Sequence, residues 1–326
     1  MLKTFLLCLS FSSCVPGLAG FSLEPRQVPS KAIWQPAVGA KFQIILESYS
    51  SRNRNADLVP TDADIHDVDL FDTTADVIQR LHSRGKKVIC YMNAGSSESW
   101  RPDYTSIKAA DKGDVMKEWR REQWLDIRSP DIFEIMKERI QMASTKGCDG
   151  IDPDNIDAYG DESGRGGGFA SKLTKQDSIN YIKKLADEAH RHGLAIGLKN
   201  AEAILPSVQS FVQYAVSEEC ATMYEGCSQY IGFINQGRPV FHIEYAKYNI
   251  NGTSVQLTAE NSALGGLPTA QLQAIYCLQA GLGTRRAMSK DVGAKFSTVI
   301  KTIDLNKAVT YCDGTTVGLE GLLKSG

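Results

Sequence analysis

The sequence predicts a parallel α/β barrel of the (β/α)₈ type, and three observations carry that expectation. Short apolar runs that end in polar residues recur seven or eight times, amphipathic stretches with helical spacing lie between several of them, and a glycine closes each such stretch. No GxGxxG or GxxxxGKS motif follows any run, which counts against the phosphate-cradling turns of nucleotide-binding doubly wound sheets.

The chain opens with MLKTFLLCLSFSSCVPGLAGF, where Lys3 gives a positive start, residues 5–11 an apolar stretch, and Gly17 and Ala19 a small-residue cleavage pattern. Residues 1–19 therefore read as a secretory signal peptide and residues 20–326 as one domain. The first apolar run is FQIILES at 42–48, followed by HDVDLFDT at 66–73 and KKVICYMNAGS at 86–96. GCDGIDPDN at 147–155, GLAIGLKNA at 193–201, QYAVSEEC at 213–220 and RPVFHIEY at 238–245 continue the series, and KFSTVIKTIDL at 295–305 is its weakest member. Between them, residues 131–147 place Ile132, Ile135, Met136 and Ile140 on one helical face before Gly147. Residues 177–193 do the same with Ile179, Ile182, Leu185, Ala186 and Ala189, with Asp177 as the expected N-cap and Gly193 as the stop. Ile78 and Leu81 precede Gly85 in the same manner. The stretch 160–168, GDESGRGGG, reads as a flexible surface loop, and 251–290 as a long insertion with little pattern.

Composition narrows the function. A net charge of −2 without Lys/Arg-rich runs gives no footprint for nucleic acid, and no segment reaches the length of an uncharged membrane span. Of eight cysteines, Cys8 and Cys14 fall in the signal, leaving Cys90, Cys148, Cys220, Cys227, Cys277 and Cys312. In an oxidising compartment an even set predicts disulfides, with fifteen pairings open and Cys220 and Cys227 near enough to staple one loop. No CxxC or clustered His stands at metal-ligand spacing, and Asn251 begins a glycosylation sequon.

Barrel active sites form where strands end, and here those ends are rich in acids and amides. They supply Glu47, Asp69, Asp72, Asn93, Asp152, Asp154, Asn155, Lys199, Asn200, Glu218, Glu219 and Glu244. Glycosidic cleavage needs two such carboxyls, one protonated to assist the leaving oxygen and one ionised to attack the anomeric carbon or activate water. Crowded acids supply the required split in proton affinity. Tyr91, Trp100, Tyr159, Tyr224 and Tyr245 lie near the same ends and can stack on sugar rings. Asp149, Asp157, His190 and His192 are assigned structural roles.

GCDGIDPDNIDAY, together with ICYMNAGSSESWRPD, WLDIRSP, GLAIGLKNA and AVSEEC, resembles family 114 of the glycoside hydrolases, the endo-α-1,4-polygalactosaminidases. The likeness runs from Trp34 to about Tyr245. It implies a (β/α)₈ barrel that cleaves α-1,4-linked galactosamine polymers internally, without a cofactor or metal. It also implies an Asp in DPDN and a Glu in EEC as the catalytic pair. The distant L-D-N-[VI]-D pattern aligns the family Asp with Asp154 rather than Asp152, and the Glu with Glu218 rather than Glu219. Asp154 then stands as nucleophile or base and Glu218 as acid. Asp69, Tyr91, Asn93, Asp152, Asn155, Lys199, Asn200, Glu219, Glu244 and Tyr245 are the expected substrate contacts. The chain departs from the family in the Gly-rich expansion at 160–168 and in Ser217, where Asn is usual. The expected partner is a cationic polysaccharide outside the cell, bound by a monomer, with no nucleic acid and no membrane. The rival readings are a catalytically silent carbohydrate-binding barrel and a hydrolase of another α-linked galactose or galactosamine glycan.

Overall fold

Each of the eight apolar runs contains a strand in the computed structural model, which describes residues 32–46, 62–161, 163–221, 226–245, 247–250, 253–256, 273, 276–277, 293, 295–303, 305 and 308–317. The strands are β1 (Phe42–Ile45), β2 (Ile65–Asp69), β3 (Lys87–Asn93), β4 (Gly150–Asp154), β5 (Ala195–Lys199), β6 (Tyr214–Glu218), β7 (Val240–Tyr245) and β8 (Ser297–Lys301). Each pairs in parallel with the next, in chain order. The first and last strands meet across the seam. There Lys301 Nζ donates to Gln43 Oε1 at 3.0 Å and the Leu46 amide donates to the Leu305 carbonyl at 3.1 Å, while Phe42 also stacks on Phe241 of β7 with centroids 4.6 Å apart. The fold is the (β/α)₈ barrel. The segment read as a signal peptide, Glu47, Tyr224 and Asn251 lie outside the described residues, as does most of 257–292. Lys247–Ile250 pairs antiparallel with Thr253–Gln256, and only the second of these strands lies in the stretch 251–290 read as an insertion.

Strand alternation sorts the core into two layers. Inside the barrel lie Phe42, Ile44, Ile65, Ile89, Ala195, Tyr214, Val216, Phe241 and Ile243. The opposite faces of the same strands, Val68, Val88, Cys90, Ile151, Ile196, Leu198 and Ala215, join the buried faces of the helices. Three long helices supply those faces: α1 (Ala75–Ser83), α2 (Pro130–Lys146) and α3 (Lys175–Arg191). Gly147 ends α2 with φ of 93°, in the left-handed region where a side chain is strained. For α3 the cap differs from expectation. Thr174 is the N-cap, and Asp177 is the third helical residue that closes a capping box back onto it, because its carboxylate accepts from both the Thr174 N–H and Oγ.

Between β3 and α2 the chain makes an excursion that strand patterning did not predict. It folds Ser96–Glu98, Lys112–Val115 and Glu122–Leu125 into a small antiparallel sheet. These segments are short and polar, so they carry no periodic apolar signal. All six described cysteines are paired, as Cys90–Cys148, Cys220–Cys227 and Cys277–Cys312. Cys90–Cys148 ties β3 to the residues leading into β4 and closes a loop of 58 residues. Replacing both of these cysteines by Ala is expected to destabilise the fold by about 4 kcal/mol, read as a shift in urea midpoint at constant m. No described helix is long and apolar enough to cross a membrane.

Candidate active site

The residues that face the barrel interior near its base are apolar, and those sharing their parity at the carboxyl ends are polar. Parity brings Asp67 and Asp69 of β2, Tyr91 and Asn93 of β3, Asp152 and Asp154 of β4, Lys199 of β5, Glu218 of β6 and Tyr245 of β7 to the same side of the sheet as the interior hydrophobes.

At the centre is the Lys199 ammonium, buried, 3.4 Å from Glu218 Oε2 and 3.7 Å from both Asp154 Oδ1 and Asp152 Oδ2. These distances to one nitrogen cap the separation of the Asp154 and Glu218 oxygens at about 7 Å, within the range over which carboxyl pairs act on one glycosidic bond. The two acids have parallel supports. Tyr91 donates its hydroxyl to Asp154 Oδ2 at 2.9 Å, and Tyr245 donates to Glu218 Oε1. The Asn155 amide donates to Asp154 Oδ1 at 2.8 Å, while Asn200 donates to Glu218 Oε2 at 3.1 Å and accepts from the Glu218 amide at 2.9 Å. Exposure separates the two aspartates of DPDN. The side chain of Asp152 is fully covered, whereas those of Asp154 and Glu218 keep 14% and 23% of their surface open and can touch a ligand.

The backbone is strained where these supports attach. Asn155, Asn200, Ala201 and Glu219, directly after β4, β5 and β6, have φ of 61°, 46°, 49° and 57°. Each left-handed non-glycine residue costs about 1–3 kcal/mol and persists only where its surroundings hold it. Strain at three adjacent strand ends is the pattern of a rim built to aim side chains.

Electrostatics distinguish the two acids. Burial pushes Asp154 upward and the Glu218 charge adds to it, with Lys199 and Tyr91 offsetting only part. Burial would raise Glu218 as well, but Lys199, Tyr245 and Asn200 outweigh it and hold the carboxyl below the usual range. Of the two, Glu218 is thus pushed toward the ionised form and Asp154 toward the protonated one. Lys199 stays charged. Burial alone would lower it, but Asp154, Glu218, Asp152 and Asp67 together hold it well above its ordinary value. Tyr91 and Tyr245 are raised by burial and by the adjacent carboxylates, so both remain hydroxyl donors.

Several participants were not anticipated from sequence. Asp67 is fully buried, and among the described residues no N–H or O–H donor reaches either of its oxygens or those of Asp152. Burial raises both, Asp152 to about 7, and the Asp152 charge adds to the rise of Asp67. Arg101 takes Asp69 in a two-pronged grip, with Nη1 at 3.1 Å and Nη2 at 2.5 Å, and also binds Glu98. Asp69 is thereby committed to the excursion rather than to the cluster around Lys199. Asn93 donates to Glu122 at 2.9 Å and accepts from the Ser96 amide and Asn155, so it anchors the same excursion. Glu244 has the opposite strand parity, is fully buried, and accepts from the Ala221 amide at 2.8 Å beside His242. It fixes the loop after Glu218 and is not among the cleft residues; alternation along β7 was the signal that could have excluded it.

The structural assignments fare as expected for Asp149, which binds Lys87 Nζ at 2.6 Å, His82 and the Val88 amide. His190 meets Gln213 and His192 meets Glu188, both away from the cluster. Asp157 is raised to about 6 by burial and by the Asp154 charge. Among the described residues, the grouping that could hold a metal is Cys220, Cys227 and His242, and its two sulfurs are joined to each other. Between the carboxylates, the position a cation would take is filled by the Lys199 ammonium.

Glu122 gives a stability test of this crowded rim. Burial raises it to about 7, so its contribution to stability is complete below its ordinary value of 4.5 and is lost as pH rises through about 7. Glu122→Gln keeps an acceptor for Asn93 and Ser96 without the charge. Its Tm is expected to exceed wild type by several degrees near pH 8 and to match it near pH 4, by differential scanning calorimetry.

A family model described as Glycoside-hydrolase family GH114 matches residues 24–317. The chain belongs to family GH114. A GH114 chain is a glycoside hydrolase. The crystal structure of Aspergillus fumigatus Ega3 in complex with galactosamine is 41% identical, covers 86% of this chain and 98% of that one, and superposes with a TM-score of 0.68. The glycoside hydrolase domain of PelA from Pseudomonas aeruginosa is 13% identical over 82% of this GH114 chain and 96% of its own, with a TM-score of 0.55, a likeness of fold alone. No curated protein sequence matches the chain.

Proposed function

We propose that this GH114 hydrolase is secreted and cleaves α-1,4-linked galactosamine polymers internally, with Asp154 and Glu218 as the working pair. One observation carries the reading: these two carboxyls are the ligand-accessible members of an acid cluster held around a single buried lysine. One protonates the leaving oxygen while the other, ionised, attacks the anomeric carbon or activates water. Tyr91, Tyr245, Asn200 and the Asn155 amide fix the two groups, and Lys199 keeps one of them ionised in a covered site. The substrate class is supported by the 41% identical Ega3, whose structure holds galactosamine, and by an acid-rich cleft that favours a cationic sugar. Secretion is supported by the leader pattern in residues 1–19 and by three disulfides, which persist in oxidising compartments.

Purified protein is expected to release oligosaccharides from a soluble α-1,4-galactosamine polymer, with a rapid early fall in viscosity that marks internal cleavage. Release of monomer alone, or cleavage of a fully N-acetylated polymer in preference to the free amine, would contradict the reading.

A further inference from the structure

Outside the acid cluster lies a cavity of about 560 Å³, within the range of small-ligand sites, and nothing in the reaction described above uses it. Its walls come from the excursion after β3 and from the Gly-rich expansion after β4, which sequence alone suggested to be a flexible surface loop. The loop is instead packed against the excursion. Gly166, Gly167 and Gly168 have φ of +59°, +81° and +84°, and a Cβ on Gly168 would meet the Asp114 carboxyl at 2.2 Å. A Cβ on Gly113 would lie 2.0 Å from the Gly167 carbonyl oxygen, so the two backbones touch where no side chain fits. Asp161 holds the loop in shape by accepting the Gly167 amide at 2.6 Å and the Arg165 amide at 3.1 Å. Arg165 reaches across to Asp114 at 3.3 Å.

The lining has the chemistry of a sugar site. Trp119 is 51% exposed, an unusual state for a large aromatic, and Trp124 lines the same cavity. Indole faces stack on sugar rings and attract ammonium groups. Asp114, Glu118 and Asp161 outnumber Lys117 and Arg165, leaving an acidic excess. A short chain of backbone contacts links the cavity wall to the catalytic rim. Trp124 stands opposite Ser96 in the small sheet, and Ala94 and Gly95, just before Ser96, donate their amides to the Asp154 carbonyl at 2.9 Å.

We propose that this groove is a second sugar-binding site, which takes amino-sugar units of the polymer chain at a distance from the scissile linkage. It rests on the substrate reading given above and extends it along the chain. The groove contributes contacts to long substrates that short ones cannot reach.

The test compares kcat/KM on a long galactosamine polymer with kcat/KM on the shortest oligomer that wild type turns over. Trp119→Ala is expected to lower the long-to-short ratio about tenfold, as loss of one aromatic stacking contact does, and Trp119→Phe to restore most of it. A ratio equal to wild type in Trp119→Ala, or an equal fall in Trp119→Phe, would overturn the second site. If wild type cleaves neither substrate, the functional reading fails first and the groove's assignment falls with it.

Discussion

Asp154→Asn and Glu218→Gln are each expected to lower kcat on a galactosamine polymer by about 10³-fold or more, the scale on which positioned acid–base groups act. Both replacements keep the shape and a hydrogen-bonding oxygen, so the Tyr91 and Tyr245 hydroxyls retain acceptors. The folded structure is therefore expected to survive, with unchanged far-UV circular dichroism. Binding of polymer is expected to persist, because the surrounding acids and aromatics remain. A drop of less than tenfold in either variant would mean that the pair does not share the reaction.

Lys199→Met is the second large effect, and it acts through proton affinities. Lys199 is the charge that holds Glu218 below the usual carboxylate range and limits the rise of Asp154 and Asp152. Its removal raises all three, since an opposite charge at this distance lowers a carboxyl by about 1–3 pH units. The acidic limb of the kcat/KM profile is thus expected to move to higher pH by about one unit or more, with kcat/KM near neutrality about 100-fold lower. Breaking a buried ion pair costs about 3–5 kcal/mol of stability, and the loss should shrink at low pH as the abandoned carboxyls take up protons. An unshifted acidic limb would show that Lys199 does not set the ionisation of the pair.

The strands were legible because a buried parallel strand is a short apolar run, and all eight occur where such runs stand. Within the site, the DPDN and EEC motifs pointed to the right strand ends, and the preference for Asp154 over Asp152 agrees with which of the two a ligand can touch. Parity explains most of what was harder to see. Glu244 has the wrong parity on β7 and faces the helix layer, whereas Asp67 has the right parity on β2 but sits below the strand end and drew no notice. Asp69 and Asn93 have the right parity too, yet their partners Arg101 and Glu122 lie 32 and 29 residues away in sequence, beyond any local pattern. The Gly-rich stretch was misread for a related reason. Glycines signal freedom in a sequence, and only the approach of Gly113 and Asp114 shows that here they permit close packing.

The most direct measurement is a crystal structure of the Glu218→Gln protein with a galactosamine oligomer. The account predicts one glycosidic linkage seated between Asp154 and residue 218, with the anomeric carbon about 3–3.5 Å from one of these side chains, the glycosidic oxygen facing the other, and the chain continuing toward Trp119. An oligomer bound with no linkage between those two side chains would contradict it.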